Sequence, residues 1–266
     1  MKIFNFDQNH KYQIIMNREK RINYSQSIKY LMVLPLSVLL LGCSSIDVER
    51  VRALDKVAVP MITVGKYINM GKFDLGSAIQ RLAEDDKFDL QPALDDLHEK
   101  TYNDFATSLP FDVVEEKKLL ESDAYKNFNP FSASKKNVYK PSSLLTPEGY
   151  MKYHPDALNK RKRAKVLKVI PDEADAAMFV YITYDLEKRK IPMLPIDKAA
   201  VKANINMDIY DRNGERILKV RKSAESDDDI KAVAGVLTDT DKIKSMTLNA
   251  TNKALRVANS YIRSEL

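Results

Sequence analysis

The strongest constraint on the fold of this chain is the stretch "ANINMDIYDRNGERILKVRK", which covers residues 203–222. Its dipeptide Asn213-Gly214 strongly favours a two-residue turn between antiparallel strands. With this pair at the tip, counting along the two arms gives the cross-strand partners Ile209–Leu218, Met207–Val220 and Asp208–Lys219. Apolar pairs on one face and an opposite-charge pair on the other support the same register. The stretch therefore predicts a β-hairpin.

Three further segments have the composition of strands. Lys56–Val64 is apolar and β-branched, and Pro60 within it argues for an edge position or a bulge. Phe111–Leu120 is the second segment. Ala176–Leu186 is apolar on both faces, as expected for a strand in the middle of a sheet.

Apolar stripes at helical spacing predict two long helices. The first runs from about Leu90 to Leu109 with Asp89 as its cap, and its stripe is Leu94, Leu97, Thr101, Phe105 and Leu109. The last runs from about Thr240 to Arg263, and its stripe is Ile243, Met246, Ala250, Ala254, Val257 and Tyr261. A shorter basic helix is expected over about Asp156–Val169.

The order strand, helix, strand, irregular segment, strand, hairpin, helix predicts the α+β or α/β class. We expect one mixed sheet of about five strands with helices packed on it. Four prolines and clusters of Ser and Lys mark residues 121–165 as an irregular insertion. We expect the globular domain to cover residues 56–266.

The segment ahead of this domain has the features of an export signal. Leu31–Leu41 is apolar except for Ser37, and eleven residues are too few for a membrane-spanning helix. Basic residues precede the run, and Gly42, Cys43 and Ser44 follow it. Residues 1–42 are therefore predicted to be a signal peptide, with Met16 as an alternative start. A buried helix with a structural cysteine is the competing interpretation.

The junction "LLGC" at residues 40–43 resembles the lipobox of bacterial lipoproteins. This resemblance implies cleavage before Cys43, a diacylglyceryl group on its thiol and an N-acyl chain on its new amino terminus. Residues 43–55 would then be a lipidated tether. Ser44 is compatible with sorting to the periplasmic side of the outer membrane, with the outer leaflet of the inner membrane as the alternative. Cys43 is the sole cysteine, so no internal disulfide can form.

The basic charge lies mostly in the signal segment. The whole chain carries 43 Lys and Arg against 37 Asp and Glu, but six of those basic residues and only two of the acidic ones precede Cys43. The remaining excess is too small for the concentrated basic face of a nucleic-acid-binding protein. We therefore expect no nucleic-acid partner.

The sequence offers little material for catalysis. The histidines are His10, His98 and His154, and "HEKTY" at His98 lacks the second histidine of a zinc motif. "SASK" at residues 132–135 lacks companion motifs, and the acidic run "SDDD" at Ser226–Asp229 lacks the spacing and the glycine of a calcium loop. We predict no metal, no cofactor apart from the lipid on Cys43, and no enzymatic activity.

A concentrated basic run, "NKRKRAKVLK", is the candidate contact site. Its cations could meet anionic lipid, a glycan or an acidic partner protein, or form the solvated face of a helix. These candidate contact residues are Lys160, Arg161, Lys162, Arg163 and Lys165.

The segments "KVAVPMITV", "FDVVEEKKLL" and "ADAAMFVYITYDL", followed by the hairpin and a last helix, give the globular part a resemblance to one family. It resembles the lipoprotein domains of the curli-secretion protein CsgG and of peptidoglycan-synthase activators. The resemblance implies a lipid-anchored accessory or binding protein that contacts other envelope proteins. The alternatives are a subunit of an oligomeric envelope or secretion apparatus and, less favoured, an envelope hydrolase.

Overall fold

The computed structural model describes residues 44–69, 89–128, 144–153, 158–190, 197–233, 236–237 and 242–266. A compact unit spans Ser44–Leu266. Its described strands are β1 (Ser45–Ile46), β2 (Lys56–Asn69), β3 (Asp112–Val113), β4 (Leu144–Leu145), β5 (Ala176–Lys190), β6 (Asp197–Asp211), β7 (Arg216–Glu225), β8 (Ile230–Val233) and β9 (Val236–Leu237). The described helices are α1 (Val48–Arg52), α2 (Gln91–Lys100), α3 (Glu116–Glu121), α4 (Asp123–Lys126), α5 (Lys160–Val166) and α6 (Lys242–Glu265).

The mixed α/β class with a single mixed sheet is confirmed, but the expected strand number is wrong. The described residues form a sheet of nine strands with the main order β1-β7-β6-β5-β2-β3. β2 runs parallel to both of its neighbours in this order, β3 and β5, whereas the pairs β5–β6, β6–β7 and β7–β1 are antiparallel. The additional strands are mostly two to four residues long, and such short pairings leave no periodic signal in a sequence.

The hairpin register is confirmed, and its turn differs from the prediction. The expected cross-strand pairs are present: Ile209–Leu218, Met207–Val220 and Asp208–Lys219. At the tip, the Gly214 N–H donates to the Asp211 carbonyl over 2.9 Å, and Gly214 has φ of 78°. A register shift follows Ile209, so the loop is longer by one residue and a bulge near Ile217 restores the predicted pairing.

Of the two positions predicted for Pro60, an edge strand or a bulge, the structure shows the bulge. β2 lies between β5 and β3, and its register with β5 shifts between Ala58 and Met61. The missing N–H of proline is accommodated where the ladder is interrupted.

The prediction of a strand over Phe111–Leu120 is wrong beyond Val113, because its second half forms helix α3. The sequence "EEKKLLE" there consists of good helix formers.

Helices α2 and α6 pack on one face of the sheet. α2 continues through a π turn and a short 3₁₀ turn to Ser108, and its predicted stripe from Leu94 to Leu109 is buried. In α6 the predicted stripe is wrong at its end, because Val257 is 43% exposed. The helix instead buries Leu255, Ala258 and Ile262. The predicted stripe already follows the 3.6-residue period, but at this end of α6 the buried residues Ala254, Ala258 and Ile262 are four apart, so the buried face turns away from Val257.

The opposite face is covered by α3, α4 and α5 and by the chain leading to them. Its apolar core includes Met61, Phe179, Tyr125, Leu158 and Leu167. Parts of the expected irregular insertion are therefore regular, and residues 129–143 and 154–157 lie outside the described residues. The expected basic helix is present as α5, which is shorter than predicted and is capped by the Asn159 side chain.

Residues 44–55, predicted to be part of a lipidated tether, contain two regular elements. Ser45 and Ile46 pair with Lys219 and Leu218 as an edge strand. α1 follows, and its Val51 is fully buried in the main core. This segment has few apolar residues, and a single buried valine forms no periodic pattern, so the sequence did not predict α1. Among the described residues, no helix is both long enough and apolar enough to cross a membrane.

Candidate functional site

The predicted lipid-attachment residue, Cys43, lies outside the described residues, and the next residue, Ser44, is firmly held. The Ser44 hydroxyl donates to the Arg221 carbonyl over 3.3 Å and accepts from the Arg221 N–H over 3.1 Å. These two bonds continue the pairing of β1 with β7, because a side-chain hydroxyl replaces a backbone partner at the end of the edge strand. Ser44 is thus held against the edge of the sheet by its side chain.

The candidate basic run falls on helix α5, beside the hairpin tip. Lys160 forms an ion pair with Glu215 of the hairpin loop. The Arg163 guanidinium stacks on the Tyr210 ring, with 4.6 Å between its Cζ and the ring centroid, and it also donates to the Leu158 carbonyl. Two of the five cations therefore fasten α5 to the sheet.

The other cations of α5 point outward to different extents. Arg161 and Lys165 are exposed, and Lys162 is half-buried. Arg161 and Lys165 lie four residues apart, so they share one side of the helix. If the run meets an anionic partner, these two side chains form the accessible part of the contact.

A second cluster, which the sequence did not indicate, surrounds His98. The His98 Nε2 lies 2.9 Å from Glu116 Oε1, and both side chains are about one-third exposed. The Tyr102 and Tyr150 hydroxyls are hydrogen-bonded to each other over 2.6 Å. The His98 ring packs edge-on against both tyrosine rings, at centroid distances of 5.5 and 5.8 Å.

Burial keeps both tyrosines of this cluster neutral. Desolvation raises the pKa of Tyr102 to about 12, although its hydrogen bond with Tyr150 acts in the opposite direction. Burial, the neighbouring Tyr102 and the Glu116 carboxylate together raise the pKa of Tyr150 further. The cluster fastens α2 to α3 and to the chain at Tyr150. His98 and Tyr102 are four residues apart on one helix face, but nothing in the sequence links Glu116 or Tyr150 to them.

A polar cavity of about 420 Å³ lies where β5, β6 and β7 meet α6. The cations in its wall are already paired: Arg189 with Glu225 and Asp229, Lys202 with Glu187, and Lys253 with Asp227. Hydrogen bonding to Glu225 is the main cause that raises the pKa of Arg189. These pairs neutralise the wall, so the cavity presents no single charge to a ligand.

The part of the chain that the structure describes contains no group of three or more His, Cys, Asp or Glu side chains arranged to hold a metal ion. His154 and the "SASK" motif at residues 132–135 lie outside the described residues. The candidate residues are thus not gathered into one centre, since the basic helix, the His98 cluster and Ser44 occupy separate elements.

Neither the protein-family models nor the curated proteins with which the chain was compared match it.

Proposed function

We propose that the chain is a lipid-anchored accessory or binding protein of the bacterial cell envelope, facing the periplasm and acting through contacts with another envelope protein. The observation that carries this proposal is the sequence from Arg18 to Cys43. A basic lead, a short apolar run, a small residue and the sole cysteine coincide there.

The start of the compact unit at Ser44 supports the proposal. Cleavage before Cys43 would leave the whole sheet and both of its cores in the mature protein. A single acyl chain binds membranes only marginally, whereas the two or three chains of a processed lipoprotein anchor stably.

The resemblance to CsgG-like and synthase-activator domains supports a role in protein contacts. The mixed sheet with helices on both faces is compatible with that resemblance, although a shared fold alone does not define a function. We place the candidate contact on the outward side of α5, at Arg161 and Lys165.

Metabolic labelling tests the anchor. Cells expressing the full chain are grown with labelled palmitate, and the protein is then isolated. We expect label in the parent protein and no label in Cys43→Ala, which should accumulate as the longer precursor. Ser45→Ala is the matched control and should be labelled normally, because it retains the cysteine. Undiminished labelling of Cys43→Ala would contradict the anchor.

Photocrosslinking in intact cells tests the contact. A photoreactive amino acid at Arg161 should capture an envelope protein, whereas the same group at Glu99, which is exposed on α2, should not. Mass spectrometry of the crosslinked species identifies the partner. Capture of a second copy of the chain at Arg161 would indicate an oligomeric subunit instead, and equal capture at the two positions would remove the role assigned to α5.

A further inference from the structure

The predicted acylated residue is joined by one peptide bond to Ser44, whose side chain is hydrogen-bonded to the sheet. Cys43 precedes Ser44, and consecutive Cα atoms lie about 3.8 Å apart. Because Ser44 is bonded to Arg221 and the next two residues pair with β7, no flexible linker separates the acyl chains from the folded domain. Surface close to Ser44 must therefore lie close to the lipid headgroups.

The surface beside Ser44 is formed by β7 and the outer side of α6. Burial raises the pKa of Tyr261 on this side of α6, and the neighbouring Ser44 side chain acts in the opposite direction. The Lys222 ammonium lies 3.3 Å from the centroid of the Tyr261 ring. One helical turn before Tyr261 is Val257, which at 43% is one of the two exposed large hydrophobic side chains in the described part of the chain.

These three side chains match the chemistry of a membrane–water interface. Tyrosine is enriched at the headgroup level because its ring is amphipathic. A lysine can lay its methylene stem along an apolar surface while its ammonium remains among the headgroups. The carboxylate of Glu265 also raises the pKa of Tyr261. Its negative charge would be repelled by an anionic membrane, whereas the positive charge of Lys222 would be attracted.

We propose that Lys222, Val257 and Tyr261 rest on the phospholipid surface and hold the domain in one orientation. This inference rests on the lipid anchor of the proposed function. The occupant is the lipid bilayer, because the anchor brings it to this surface whether or not a partner is bound. The sheet edge at β1 then lies nearest to the membrane. The edge at β3 lies five strands away, at about 4.8 Å per strand.

Spin labels at two positions test this orientation. Cys43 is the sole cysteine and its thiol would be acylated, so an introduced cysteine is the only reactive thiol. Val257→Cys places the label on the proposed surface. Lys117→Cys is the matched control, because its side chain is 79% exposed on α3, next to the opposite edge of the sheet. Both replace exposed residues, so both variants should fold.

The full lipidated proteins are reconstituted into vesicles of phosphatidylethanolamine and phosphatidylglycerol. Collision rates of each label with oxygen, which concentrates in lipid, and with a water-soluble nickel complex are then measured. We expect the label at position 257 to collide several-fold less with nickel and more with oxygen than the label at position 117.

Two results would overturn the orientation while leaving the anchor intact, provided palmitate labels both variants. One is equal nickel collision at positions 257 and 117, which would show that the surface faces water. The other is a loss of both nickel and oxygen collisions at position 257, which would show that protein covers it. Absence of palmitate from the parent protein would overturn the anchor and the orientation together.

Discussion

At the scale of single residues, the most consequential polar group in the sheet is Asp208. Its carboxylate is nearly fully buried and forms ion pairs with Arg221 over 2.5 Å and with Arg216 over 3.7 Å. Arg221 also donates to the Met207 and Val220 carbonyls, and its guanidinium lies 5.7 Å from the Tyr181 ring centroid. The negative charge of Asp208 therefore balances the positive charge of Arg221, whose guanidinium is itself held against the sheet.

Asp208→Ala should lower the free energy of unfolding by about 2 kcal/mol, because it leaves the guanidinium of Arg221 without its counter-ion. Urea denaturation followed by circular dichroism measures the loss. Glu215→Ala is the control, since its ion pair with Lys160 is more than half exposed and should contribute less than about 1 kcal/mol. Equal losses in the two variants would contradict the importance of the buried pair.

The tyrosine pair beside His98 predicts a loss of stability at alkaline pH. Burial raises the pKa of Tyr102 to about 12 from an ordinary value of 10.0. The unfolded chain thus ionises first, so the stabilisation is complete below about pH 10 and is lost progressively as the pH approaches 12. Urea midpoints measured across this interval should fall less steeply in Tyr102→Phe/Tyr150→Phe than in the parent. Parallel curves would contradict the prediction.

The same cluster shows what a sequence hides at the residue scale. The sequence around His98 shows only that the second histidine of a zinc motif is missing. The partner of His98, Glu116, comes from a segment predicted as a strand. Pairings between distant side chains depend on the exact path of the chain, so neither propensity nor periodicity reveals them.

At the scale of elements, the hairpin tip depends on one backbone conformation. Gly214 has φ of 78°, in the left-handed region that residues with a Cβ atom rarely adopt. A Cβ atom at this position would meet only Leu167 Cδ1 at 3.9 Å, which is ordinary contact. The cost of a substitution therefore arises from the backbone and not from a clash.

Gly214→Ala should destabilise the protein by about 1–2 kcal/mol, the cost of forcing an L-residue into this conformation. Gly214→Asn should cost clearly less, because asparagine tolerates the left-handed region better than alanine does. Thermal and urea unfolding of the two variants provide the comparison. Equal destabilisation by alanine and asparagine would indicate a steric cause and contradict the backbone explanation.

Elements with strong local signals were predictable, and those defined by tertiary contacts were not. The hairpin register followed from Asn213-Gly214 and alternating apolar residues, and the bulge in β2 followed from Pro60. β1 and α1 instead exist because β7 and the core are already in place to receive them. The distinction is physical, since a two-residue strand has no stability apart from its partner.

At the scale of the whole molecule, strand β5 joins the two apolar cores. Met178, Val180 and Ile182 face the core beneath α2 and α6, whereas Ala177 and Phe179 face the core beneath α3, α4 and α5. The sequence predicted a central strand here, because Ala176–Ile182 is apolar on both faces. A strand shared in this way couples the two layers of helices.

This coupling predicts a single unfolding transition for both cores. Phe179→Ala and Ile182→Ala remove fully buried side chains on opposite faces of β5, and each should cost about 2–5 kcal/mol. Circular dichroism reports the helices, and intrinsic tyrosine fluorescence reports the packing, because the chain has no tryptophan. In each variant both signals should shift together to the same lower urea midpoint, as two-state unfolding requires. If one signal shifts alone, the two faces unfold independently and β5 does not couple them.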